Sequence, residues 1–153
     1  MTSAGSIIYL VDDDPSYLAA MSRFLRAAGY TSEAFSSPTE FLKILPAIGP
    51  GCLILDLQMP GLTGFDVQDA VAKQENPLPI IFLTGQGEVQ DAVRAMRQGA
   101  EDFLGKHESN DELLRAIERA LGRNAKERAQ SAAELARRIQ HAGLLDDGQL
   151  NPN

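Results

Sequence analysis

The chain has 153 residues, 44% of them hydrophobic and 23% charged, which is enough for one packed core and too little for two. Its formal charge is −7, and residues 1–122 hold 17 acids against 9 bases, so this segment is not expected to touch nucleic acid directly, which needs clustered Lys and Arg. The single cysteine, Cys52, sits in an apolar run and excludes a disulfide scaffold, while apolar runs of strand length exclude a membrane span and a secretory leader; the chain reads as cytoplasmic.

Residues 1–5 read as a flexible start. The run Ile7–Val11 is continuously apolar over strand length, the pattern of a strand buried on both faces in a parallel sheet. Asp14-Pro15 then signals a helix start, Leu18, Met21, Phe24, Leu25 and Ala28 recur at helical spacing, and Gly29 suits a stop. Residues 30–35 form a second strand, less cleanly alternating. Ser37-Pro38 with Glu40 opens a helix over residues 38–45, with Phe41, Leu42 and Leu45 as its apolar face. Residues 53–55 make the third strand, and Phe65, Ala70 and Val71 mark the next helix. Residues 80–83 make the fourth strand, followed by a helix with Val89, Ala92, Val93 and Met96 that Gly99 ends. A weaker strand at 102–104 precedes a helix opened by Ser109 and Glu112 and carrying Leu113, Leu114, Ile117 and Leu121.

Five alternating units over residues 6–122 are too few to close a barrel. They predict an α/β fold with a doubly wound, five-stranded parallel sheet, helices on both faces and a ligand site at the strands' carboxyl ends. Residues 123–142 turn to Ala, Arg, Glu and Gln and read as a helical extension or linker. Leu121, Ala125, Ala132, Leu135 and Ile139 approximate a heptad stripe there, interrupted by Arg128, and a solvated tail is favoured over a dimer helix. Residues 143–153 read as a disordered tail.

Asp12, Asp13 and Asp14 directly follow the first strand, and Asp56 ends the third at the same sheet edge. Converging carboxylates repel unless a cation neutralises them, and hard oxygen ligands suit Mg²⁺ or Mn²⁺. Asp14, before Pro15, is better explained as a helix cap. Thr84 ends the fourth strand and Lys106 follows the fifth, so a hydroxyl and an ammonium reach that edge and complete a phosphate-sized site.

Together these residues resemble the response regulator receiver family, typified by the chemotaxis protein CheY, over residues 6 to about 121. The motifs are the acid pair Asp12-Asp13, the run Asp56-Leu57-Gln58-Met59-Pro60-Gly61, Thr84, Lys106, and Phe103 three positions before the lysine. The resemblance implies the strand order 2-1-3-4-5, phosphorylation of Asp56 by a sensor histidine kinase, and no classical enzyme activity beyond the domain's own Mg²⁺-dependent phosphorylation and dephosphorylation. It implies that Asp13, Asp56 and the Gln58 carbonyl bind Mg²⁺ directly, with Asp12 acting through water. Thr84 and Phe103 would switch the surface of the fourth helix, fifth strand and last helix. Phe103 lacks the hydroxyl of a tyrosine, so its buried orientation is favoured. A homodimer through that surface or the C-terminal helix is also implied.

Gln58 and Gln86, each two residues beyond Asp56 and Thr84, are candidates for setting the phosphoryl lifetime. The runs Thr84-Gly85-Gln86-Gly87 and Ala100-Glu101-Asp102-Phe103 look most like FixJ/LuxR-type transcriptional regulators, which usually add a helix-turn-helix output domain. One departure is His107, where the family has a proline joined by a cis bond. The expectation is either a trans bond with a shifted loop or a strained cis bond, which costs about 2.5–4 kcal/mol without proline. His107 itself is expected to have no catalytic duty.

Rival readings fare worse. A haloacid dehalogenase-class hydrolase needs a second carboxylate where Gln58 stands, and a dinucleotide-binding domain needs a Gly-rich turn where Asp13-Asp14-Pro15 stands. A receiver that works as an interaction module without phosphorylation is supported by the missing proline alone.

Overall fold

The computed structural model describes residues 5–122 and, beyond them, Arg137. Strands β1 (Ile7–Val11), β2 (Ser32–Phe35), β3 (Gly51–Leu55), β4 (Ile80–Thr84) and β5 (Asp102–Gly105) alternate with helices α1 (Pro15–Ala27), α2 (Pro38–Ile44), α3 (Gly64–Ala72), α4 (Val89–Arg97) and α5 (Asn110–Gly122). The strands form one parallel sheet in the order β2-β1-β3-β4-β5. The expected doubly wound architecture is thus observed. None of the helices among the described residues is long and apolar enough to cross a membrane.

Side chains alternate across each strand, so the apolar runs feed two cores. Tyr9, Val11, Leu53, Leu55, Ile80 and Phe82 face Phe41, Phe65, Val67, Val71, Ala95 and Met96 of α2, α3 and α4. Ile8, Leu10, Cys52, Ile54, Ile81 and Leu83 face Leu18, Met21, Leu25, Leu113, Ala116 and Ile117 of α1 and α5. Cys52 is a buried packing residue, as expected.

Several boundaries differ from the sequence pattern for local reasons. β2 starts at Ser32 rather than residue 30, because Gly29 turns back at φ +94° and the Tyr30 amide donates to the Leu25 carbonyl, ending α1. α2 ends at Ile44, and Leu45–Ala47, with Pro46 inside it, forms a 3₁₀ turn. β3 begins two residues early, at Gly51, which pairs with Ile7; a Cβ there would lie 1.8 Å from the Ile7 carbonyl oxygen. The helical extension at 123–142, the tail at 143–153 and residues 1–4 lie outside the described residues, Arg137 excepted.

Phe41 is wholly buried and meets the rings of Tyr9 and Phe35 at centroid distances of 6.1 and 5.6 Å. Phe41→Ala is expected to cost about 3–5 kcal/mol in urea unfolding, and a loss under about 1 kcal/mol would contradict this packing.

Candidate functional site

Strand register assembles the site. Val11 pairs with Leu55, so the chain leaves β1 and β3 at one edge, and the Asp56 amide donates to the Val11 carbonyl at 2.9 Å. Asp12 and Asp56 are therefore the first residues off adjacent strands, and both are buried, at 4% and 7% exposure. Asp13 is exposed beside them, and oxygens of the three carboxylates lie within 4.8 Å of one another. The Asp14 side chain is turned away, its Oδ1 accepting from the amides of Ser16 and Tyr17 to cap α1, as expected, while its backbone amide donates to Asp12 Oδ1 at 2.9 Å.

Lys106 enters from the far side. Its backbone amide donates to the Thr84 carbonyl at 2.8 Å, which continues the β4–β5 ladder one step past Thr84 and Gly105. Its Nζ then lies 2.7 Å from Asp12 Oδ2 and 3.9 Å from Asp56 Oδ2. The Lys106–His107 bond is trans, with the turn closed by the Glu108 amide on the Gly105 carbonyl. The bond is therefore trans and not strained cis: His107, unlike proline, forms an ordinary secondary amide that strongly prefers trans.

Thr84 is buried at the end of β4. Its hydroxyl accepts from the Gln86 amide and donates to the Gln86 carbonyl, both at 3.4 Å, so it faces its own loop. Phe103 is half-buried, its ring 5.8 Å from that of Phe82. Gly87 lies over both residues, since a Cβ there would come within 2.8 Å of the Phe103 ring and 2.9 Å of the Thr84 methyl. Gln58 and Gln86 are exposed on the loops after β3 and β4, and neither side chain hydrogen-bonds to Asp56 among the described residues. The structure thus brings Asp12, Asp13, Asp56 and Lys106 together, sets Thr84 and Phe103 beside them, and leaves the two glutamines at the rim.

Comparison with known proteins identifies the family. The response regulator receiver domain family matches the chain over residues 8–118. The chain belongs to that family.

The receiver is 42% identical over 137 residues to the response regulator protein TmoT of Ectopseudomonas mendocina, covering 88% of this chain and 62% of that one. It is 39% identical over 133 residues to the transcriptional regulatory protein FixJ of Bradyrhizobium diazoefficiens, covering 87% of this chain and 64% of that one. The chain therefore spans less than two thirds of these curated relatives. Among solved structures, the crystal structure of FixJ-N has a TM-score of 0.73 at 30% identity, covering 78% of the receiver and 96% of that chain. The low-resolution structure of the response regulator StyR has a TM-score of 0.72 at 34% identity, covering 95% and 74%.

Three contacts of the receiver were not legible beforehand. The Lys106 ammonium lies 4.2 Å from the centre of the Tyr17 ring. Buried Gln68 of α3 donates through Nε2 to the Ala95 carbonyl of α4 at 3.0 Å. Arg119 of α5 reaches Asp102 at 2.6 Å and Glu101 at 3.6 Å, tying the last helix to β5. The usable signal was slight: an aromatic one helical turn past the acid pair, and a glutamine on an apolar helix face.

Burial, and then the charge of Asp12, raises the Asp56 carboxyl to about 6 from its ordinary 3.8, against the opposing pull of Lys106. Burial, with Asp12 and Asp56 beside it, also pushes the Tyr17 hydroxyl to about 12. One ammonium thus undercompensates three carboxylates, and an oxygen-only donor set of this kind fits a hard divalent cation. The folded-state value of Asp56 lies above its ordinary one. Its contribution to metal-free stability is therefore fully present below about pH 4 and is lost as pH rises through about 6. A cation needs the ionised form, so Mg²⁺ affinity measured by calorimetric titration should hold steady above pH 7 and fall roughly tenfold per unit below pH 6. Equal affinity at pH 5 and pH 7.5 would contradict this account.

Gly64 limits the same corner. A Cβ there would sit 2.7 Å from the Asp56 carbonyl oxygen and 2.9 Å from the Leu57 Cα, both backbone atoms. Gly64→Ala should therefore destabilise the receiver and weaken Mg²⁺ binding together, whereas a variant with unchanged melting temperature and affinity would show that the loop has room.

Proposed function

We propose that this receiver accepts a phosphoryl group on Asp56 from a sensor histidine kinase and relays it to an output through α4, β5 and α5. The observation that carries this reading is the Lys106 ammonium set 2.7 Å from Asp12 and 3.9 Å from Asp56, beside a buried carboxylate.

An ionised Asp56 oxygen attacks phosphorus in line, forming an acyl phosphate as the bond from phosphorus to the donor histidine nitrogen breaks and its electron pair returns to the imidazole. Lys106 offers its ammonium to the transferring phosphoryl oxygens, and Thr84 turns its hydroxyl from Gln86 to the product phosphate. Mg²⁺, bound by Asp13, Asp56 and the Gln58 carbonyl with Asp12 acting through water, would supply further charge neutralisation. Gln58 and Gln86, at the rim, govern access of the hydrolytic water and so the phosphoryl lifetime.

Movement of Thr84 pulls on the loop carrying Gly87, which lies against the Phe103 ring, and shifts the population of α4–β5–α5 arrangements. A receiver homodimer through this face or the C-terminal helix is one readout. FixJ is named a transcriptional regulator, and transcription control from the cytoplasm by an attached output domain is the reading adopted for the whole protein.

Incubation with acetyl phosphate and Mg²⁺ should add the mass of one phosphoryl group to the unmutated protein and none to Asp56→Asn. No gain in the first, or equal gain in both, would overturn the reading.

A further inference from the structure

The ammonium of Lys106 has three near neighbours, two carboxylates and one ring. Asp12 holds it at 2.7 Å, Asp56 stands at 3.9 Å, and the Tyr17 ring centre lies at 4.2 Å. A four-carbon stem has many rotamers, and here the ammonium lies between the two carboxylates, nearer Asp12, with the Tyr17 ring against it.

Tyr17 is itself firmly placed. It is the third residue of α1, and its backbone amide donates at 3.3 Å to the Asp14 cap. Tyr17, with Met21 and Leu83, lines two small cavities, one shared with Asp12 and Asp56 and the other with Lys106 and Leu104. Removing the ring would open space beside the Lys106 stem.

The geometry points to Tyr17 as a positioning residue whose ring holds the Lys106 ammonium where an incoming phosphoryl group on Asp56 must meet it. A cation over an aromatic face is attracted by the ring quadrupole, most strongly where water is excluded, and only 19% of the Lys106 side chain is exposed. The ring does this work and the hydroxyl does not, so phenylalanine should substitute and an aliphatic residue should not. The inference rests on Asp56 being the acceptor, but the contact can be tested without it.

The test compares the unmutated protein with Tyr17→Phe and Tyr17→Leu, each first shown to be folded by its melting curve. Ring currents should shift the Lys106 ε-methylene protons upfield in the unmutated protein and in Tyr17→Phe, and the shift should vanish in Tyr17→Leu. Phosphorylation by acetyl phosphate should slow on the order of tenfold in Tyr17→Leu, with the half-saturating acetyl phosphate concentration unchanged, and phenylalanine should restore it. An unmutated rate in Tyr17→Leu, or a defect in Tyr17→Phe as large, would overturn the proposal. A protein that takes no phosphoryl group at all would sink the acceptor reading and its kinetic consequence, while the methylene shift would still decide whether the ring pins the lysine.

Discussion

Three carboxylates meet at one edge of the sheet with a single ammonium among them, and this concentration of negative charge is the constraint around which the other parts are arranged. Water cannot screen it well, because Asp12 and Asp56 are buried. The cost appears in Asp56, whose carboxyl holds its proton to about pH 6. Such an arrangement persists only because the parallel register, set by two apolar cores, forces the ends of β1 and β3 together. Folding thus places the charges, and a hard divalent cation held at this edge would relieve them.

The same edge is mechanically joined to the surface formed by α4, β5 and α5. Gly87 lies against both Thr84 and Phe103, and the absence of a side chain there is what lets the loop lie on the ring. Buried Gln68 holds the C-terminal part of α4 to α3, and Arg119 ties α5 to the start of β5. The loop before α4 and Phe103 are thus the parts that the proposed movement of Thr84 would meet first.

Much of this was legible in the sequence because its cause is local. Continuous apolar runs mark strands buried on both faces, Asp14-Pro15 and Ser37-Pro38 mark helix starts, and the side chains expected at the strand ends are those the fold brings there. Where the fold departs from the pattern, long-range pairing or turn geometry decides: Gly51 joins β3 because Ile7 lies opposite, and Tyr30 is consumed by the end of α1. The contacts of Tyr17 and Gln68 could not be read, because periodicity assigns a residue to a face without saying which atom of another element it meets. The peptide after Lys106 was open for a different reason, since His107 removes the proline that would have determined it.

The most direct test of the account is to phosphorylate the protein with acetyl phosphate and Mg²⁺, reduce the acyl phosphate with borohydride, and locate the modified residue by peptide mass spectrometry. The account predicts reduction of the side chain at position 56 to homoserine and at no other aspartate. Homoserine at position 12 or 13, or a phosphoryl group on a residue that borohydride leaves untouched, would contradict it.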